Sequence, residues 1–208
     1  MVKDVAIGAR TFTTFTTFPL FLHFSHFLLM SPEWYAQRAR SHNIPVASEP
    51  TRTFLESLVL QRRSWRILEV WSAVGSSSCR FAKTVSTRWG QVVSYEISYP
   101  TYHRARRRRT QQKCRNLQLY HSDVLNTNVQ LSWDKPFDFV FIDGMKSQYA
   151  DYIHAIRPFC SSGATIVLDD VRAYENKMDA LWIYLKEQNI AYEIIDLPDG
   201  DGILLFTV

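Results

Sequence analysis

Cysteine is scarce in this 208-residue chain, with three in all: Cys79, Cys114 and Cys160. The count is odd and no two form a CxxC pair. That argues against a disulfide framework or a cysteine zinc site and points to a reducing compartment, the cytoplasm. The six histidines are scattered. Only His23 and His26 share helix-face spacing, and two ligands alone make no metal site. Seven glycines nowhere complete a G-x-G-x-x-G, so a dinucleotide-dependent dehydrogenase is disfavoured. A clean run of about 20 apolar residues, as a membrane span needs, is missing. So is a small-residue cleavage site before Ser31, which a secretory signal would show. Internal repeats are absent.

What is present is ordinary in bulk: 46% hydrophobic and 21% charged residues, the composition of a globular α/β domain large enough for a real core. The charge is unevenly placed. No acidic residue stands between Glu96 and Asp123, while Arg104, Arg106, Arg107, Arg108, Arg109, Lys113 and Arg115 do. Four consecutive arginines sweep most of the way round a helix and define no single face. A solvated role and an RNA-facing role are both compatible with such a cluster.

Residues 1–45 read as an apolar arm and short helix, and 46–208 as the α/β domain. In the arm, phenylalanine recurs every third position from Phe12 to Phe27. That period winds around an α-helix instead of holding one face. A packed arm or dimer contact, a poorly ordered leader, and a membrane-surface or targeting segment all remain open, membrane contact being the least favoured. Ser31-Pro-Glu then reads as a short capped helix.

Further on, helix and strand patterns alternate. A helix is expected over 49–61, with Phe54, Leu55, Leu58 and Val59 on one side. Strands are expected over 66–70, 91–96 and 116–120, with two more ending at Asp143 and Asp169. A helix over 77–88, a basic helix after Ser98 and a crossover helix over 147–158 separate them. A helix over 175–188 leads to strands over 191–196 and 203–208. A PDGDG turn joins those two into a hairpin, which places one antiparallel strand in the sheet.

Chemistry concentrates at the strand ends. FDFVFIDGMK and GATIVLDDV are apolar runs, buried on both faces as in a parallel sheet, that stop at aspartate. If the two strands are neighbours, Asp143, Asp169 and Asp170 meet at the carboxyl edge, where open α/β folds bind ligands. Clustered carboxylates repel unless a cation or a proton sits among them, so a hard-metal site is expected. An aspartate after a strand is also a common turn former or helix cap. The first strand ends in ILEVWSAVGSSS, a glycine-containing turn into a helix that lets backbone N–H groups approach a ligand. Glu96 closes the second strand about twenty residues after Gly75, the spacing at which an acid grips ribose hydroxyls. Asp123 follows the third strand at the same edge.

On these residues the sequence resembles the class I S-adenosylmethionine-dependent methyltransferases, in particular the metal-dependent O-methyltransferases of catechol and caffeoyl-CoA type. It is also similar to bacterial relatives that methylate hydroxyuridine in tRNA. The resemblance runs from about Val46 to the C-terminus. It implies a Rossmann-like methyltransferase fold: a mostly parallel seven-stranded sheet with one antiparallel strand, helices on both faces and an N-terminal helical extension. It implies a cofactor site at Glu69, Trp71, Ala73, Gly75, Ser77, Glu96, Asp123 and Asp143. There Glu96 holds the ribose, Asp123 meets the adenine and Ser77 touches the methionine carboxylate. It further implies a Mg²⁺ or Mn²⁺ ion on Asp143, Asp169 and Asp170, with Lys146 of the D-x-x-K segment as the catalytic group. The expected acceptor is a small phenol or a tRNA hydroxyuridine, and a homodimer is plausible on the same ground. Two departures stand out. Trp71 and Ala73 occupy positions where the family carries glycine, and Asp170 replaces asparagine. A non-catalytic binding protein with a decayed cofactor turn is the alternative reading.

Overall fold

The structure, a computed structural model, describes residues 46–126, 135–200 and 202–208. The expectations placed on residues 1–45, the phenylalanine stripe and the Ser31 helix among them, lie outside the described residues.

Helix α1 (Glu49–Gln61) begins where the sequence expects it. Ser48 caps it, accepting the Thr51 N–H at 3.1 Å, and Pro50 sits in its first turn. Then follow β1 (Arg66–Val70), α2 (Ser76–Ser86), β2 (Gln91–Glu96), α3 (Tyr99–Gln111), β3 (Leu117–His121) and β4 (Phe137–Ile142). The chain continues through α4 (Tyr149–Ile156), β5 (Cys160–Leu168), α5 (Asp179–Glu187), β6 (Glu193–Asp196) and β7 (Gly202–Thr207). Two of the expected helices are shorter than their patterns. Lys146–Gln148 and Glu175–Lys177 form single 3₁₀ turns ahead of α4 and α5.

The strands form one seven-stranded sheet in the order β3-β2-β1-β4-β5-β7-β6. β1 to β5 run parallel, and β7 is antiparallel to both β5 and β6, as the terminal hairpin requires. Side-chain alternation divides the core. Leu68, Val70, Val140 and Ile142 face α4 and α5, while Ile67, Val92, Phe139 and Phe141 face α1 and α2. The pleat of β4 slips between Phe137 and Phe139. The residue between them, Asp138, turns its carboxylate onto the Trp65 and Arg66 N–H groups at 3.0–3.2 Å and so ties β4 to the start of β1. Arg80 of α2 pairs with Glu49 at 2.6 Å and Glu56 at 2.7 Å, fixing α1 on α2. Among the described residues no helix is long and apolar enough to cross a membrane.

Because β4 lies between β1 and β5, the carboxyl ends of β2, β1, β4 and β5 stand side by side. That edge gathers the residues the sequence singles out.

Candidate active site

Glu69 is fully buried inside β1. Ser77 and Ser78, in the first turn of α2, both donate to its carboxylate, and Ser94 of β2 donates at 2.6 Å. Burial pushes the carboxyl up to about 7 despite these three donors. Glu69 is therefore a brace that locks the helix start to two strands. The Ser77 hydroxyl, expected to meet a ligand carboxylate, is engaged in that brace.

The turn between β1 and α2 is left-handed at three places: Trp71 (φ 70°), Ala73 (φ 47°) and Gly75 (φ 75°). Glycine is the residue such a backbone favours, since an L side chain there costs about 1–2 kcal/mol. At Gly75 even a methyl group is crowded, because an added Cβ would lie 3.1 Å from Ala105 Cβ of α3. Glu96 holds the turn from the other side. Its Oε2 accepts the Ala73 N–H and its Oε1 the Ser98 N–H, each at 2.7 Å. Burial raises its proton affinity against those two donors. The Ser72 hydroxyl, within the turn, is buried with no hydrogen-bond partner among the described residues. Asp123 forms a turn, its Oδ1 accepting the Leu125 N–H at 2.9 Å.

Trp71 resolves one departure. Its indole lies beside Gly144, where an added Cβ would stand 3.2 Å from Trp71 Cδ1 and 2.9 Å from Tyr152 Cε2. The ring packs onto the apolar cluster that includes Tyr149 and Tyr152.

The second half of the site starts at the same edge. The Asp143 N–H donates to Val70 O at 3.2 Å and the Asp169 N–H to Ile142 O at 3.1 Å, which extends the parallel ladders by one step. Asp143 and Asp170 converge as expected, but on an ammonium. Lys146 Nζ lies 3.0 Å from Asp143 Oδ1 and 2.9 Å from Asp170 Oδ2. It also donates to the Tyr149 hydroxyl at 2.8 Å, which in turn donates to Asp169 O at 3.0 Å. Asp169 is 1% exposed, and its Oδ1 accepts the Asp170 N–H at 3.0 Å. Burial, and then repulsion from Asp143 and Asp170, hold its carboxyl well above the usual range. Burial alone would lower Lys146, yet Asp143, Tyr149 and Asp170 together raise it, so it is an ammonium at neutral pH. Asp170 has φ 57°, a region that asparagine and aspartate tolerate better than most residues. No three His, Cys, Asp or Glu side chains among the described residues are arranged as a ready metal site.

Tyr149, Ser78 and Ser94 were not singled out by the sequence. Tyr149 stands three residues beyond Lys146, a spacing that places both on one side of a helical turn. The serines gave no signal until the strands were in register. A cavity of about 230 Å³ opens between α1, α2 and α3, lined by Ser76, Cys79, Lys83 and Arg108 among others. It is lined by none of the edge carboxylates.

Residues 68–171, half of the chain, match the family described as "Methyltransferase domain". The chain belongs to this methyltransferase family. Solved structures agree on the fold. An O-methyltransferase from Bacillus cereus in complex with SAH has a TM-score of 0.72 at 20% identity, the match covering 91% of this chain and 94% of that one. The O-methyltransferase TomG from Streptomyces achromogenes, in complex with SAM, has a TM-score of 0.73 at 21% identity, covering 90% and 94%. A SAH-bound methyltransferase from Podospora anserina has a TM-score of 0.72 at 19% identity, covering 85% and 86%. The Rossmann-like methyltransferase architecture implied by the resemblance is the one observed.

Proposed function

We propose that the protein is an O-methyltransferase that uses S-adenosylmethionine. The observation that carries this reading is the hydrogen bond from Asp143 N to Val70 O. It joins the start of the left-handed turn directly to the lysine–carboxylate cluster, so a methyl donor on the turn and an acceptor on the cluster would abut. The turn fits a polar cofactor: its backbone is held open by Glu96, and the Ser72 hydroxyl is buried without a partner. Bound S-adenosylmethionine supplies an electrophilic methyl group, and transfer to an acceptor oxygen depends largely on alignment.

The donor chemistry of Asp143, Asp169 and Asp170 suits a hard cation, and the repulsion among them, which Lys146 only partly offsets, favours one. Mg²⁺ or Mn²⁺ held there would lower the pKa of an acceptor hydroxyl. For that, Lys146 would have to yield Asp143 and Asp170. As placed, the Lys146 ammonium is a hydrogen-bond donor, suited to stabilising an acceptor oxyanion and not to removing its proton. Tyr149 and Tyr174, whose ring centroids each lie within 6 Å of the ammonium, hold it in position.

The acceptor is a hydroxyl of a small phenol or of a tRNA hydroxyuridine. The test is release of S-adenosylhomocysteine with catechol-type phenols and with tRNA, with and without Mg²⁺. Turnover with one of them, suppressed in Lys146→Ala, is the expected result, and unchanged turnover in that variant would remove Lys146 from the chemistry. The second reading, a binding protein with a decayed turn, draws on the strained Trp71 and Ala73 backbone. It requires that no cofactor bind.

A further inference from the structure

The basic cluster is not used by the site described above. In the structure α3 divides its arginines. Arg108 is buried and donates to Ser76, whereas Arg104, Arg106 and Arg107 are exposed, and Lys113 and Arg115 continue the exposed charge toward β3. The segment holds no acidic side chain between Glu96 and Asp123. The 13-residue helix thus carries exposed aromatic and histidine rings in its first turn and exposed arginines from Arg104 onward.

Aromatic planes are interleaved with this charge. Tyr99, 60% exposed, lies 4.2 Å from the His103 ring and 5.3 Å from His121, between ring centroids. Tyr102 lies 5.2 Å from His121, and the Arg106 guanidinium stands 5.8 Å from the Tyr102 ring. β3 is the edge of the sheet, and its Tyr120 is 38% exposed while stacked on Tyr95 at 5.3 Å. A merely solvated helix face has no need of exposed rings clustered from two elements. Guanidinium groups to take phosphates beside open ring faces to take bases is the chemistry of a single-strand platform.

We propose that the outer face of α3, with the end of β3, binds single-stranded nucleic acid. Arg104, Arg106 and Arg107 contact phosphates, while Tyr99, His103 and His121 offer planes to unpaired bases. The inference concerns a surface apart from the Lys146 cluster and does not depend on methyl transfer.

The test uses the full chain without cofactor and reads fluorescence anisotropy of labelled 12-nucleotide single-stranded RNA and DNA, with duplex DNA as comparison. For the three phosphates taken by these arginines, Kd should rise on the order of 20-fold between 50 and 200 mM salt. Arg106→Gln should flatten that dependence. Tyr99→Ala should weaken binding about tenfold at every salt concentration. Both sites are exposed, and circular dichroism verifies that each variant is folded. Tighter binding of RNA or of DNA decides which sugar is preferred, and either supports the proposal. Three results would overturn it: no binding of single strands at 50 mM salt, equal binding by the wild type and both variants, or duplex or anionic phosphatidylserine vesicles bound more tightly than single strands.

Discussion

The indole of Trp71 occupies the space beside Gly144 that a side chain at 144 would need. Gly144 on the neighbouring strand end leaves room for this ring and for Tyr152, which an added Cβ would meet at 3.2 and 2.9 Å. Gly144→Ala should therefore destabilise the fold by about 1–3 kcal/mol through overpacking. In a Trp71→Ala background the cost should shrink, because only the Tyr152 contact remains. Thermal unfolding of the four proteins measures the coupling. Strictly additive costs would show that the two residues do not share the space.

Lys146 acts in this fold as a built-in counter-cation for Asp143 and Asp170. Lys146→Met should lower stability by about 3 kcal/mol, as loss of one partner from a largely buried ion pair does. Added Mn²⁺ should raise the melting temperature of the variant more than that of the wild type, since the ammonium no longer competes for the carboxylates. Equal shifts in both would separate the ammonium from the cation site.

Glu69 sets a pH dependence whose sign is fixed by burial. Its folded value, about 7, lies above its ordinary 4.5. The native state therefore retains the proton where the unfolded chain has lost it. The group's contribution is fully present below about pH 4.5 and falls away as pH rises through about 7, amounting to about 3 kcal/mol. Glu69→Gln, an isostere of the protonated form, should match the wild type near pH 4.5 and exceed it in stability near pH 8. Parallel stability profiles for the two proteins would contradict this assignment.

Glu96 touches the cofactor turn most directly, through the Ala73 N–H. Glu96→Gln can accept from one of the two backbone donors but not from both. Cofactor affinity should fall about tenfold or more, as expected when a charged hydrogen bond is lost, with the fold retained. Isothermal calorimetry of the variant measures this. Unchanged affinity would reduce Glu96 to a turn former.

Much of this was legible in the chain itself. β-branched and aromatic runs ending in acids located β2, β4 and β5, and the expected bounds of β1 and β2 agree with the structure at both ends. The apolar face of Phe54, Leu55, Leu58 and Val59 located α1, and the Ser48 cap that fixes its start came from the structure. Four arginines in a row were expected to point different ways, and Arg108 does turn inward. What the chain could not show was direction at the level of single side chains. Ser77 reads as a ligand contact, and only the packing of α2 on β1 shows that its hydroxyl donates to Glu69. Lys146 reads as the catalytic group, but its pairing with Asp143 and Asp170 shows only once the strand ends are side by side. Trp71 reads only as a departure from a glycine turn until packing places its ring beside Gly144. Each of these depends on contacts between residues distant in sequence, which local patterns do not record.

The central claim is that the strained turn at Trp71–Gly75 still binds S-adenosylmethionine. Calorimetric titration of the folded protein with S-adenosylmethionine, with and without Mg²⁺, tests it most directly. Micromolar binding is the expected result. No binding by a folded sample would contradict the methyltransferase reading and leave the binding-protein reading in its place.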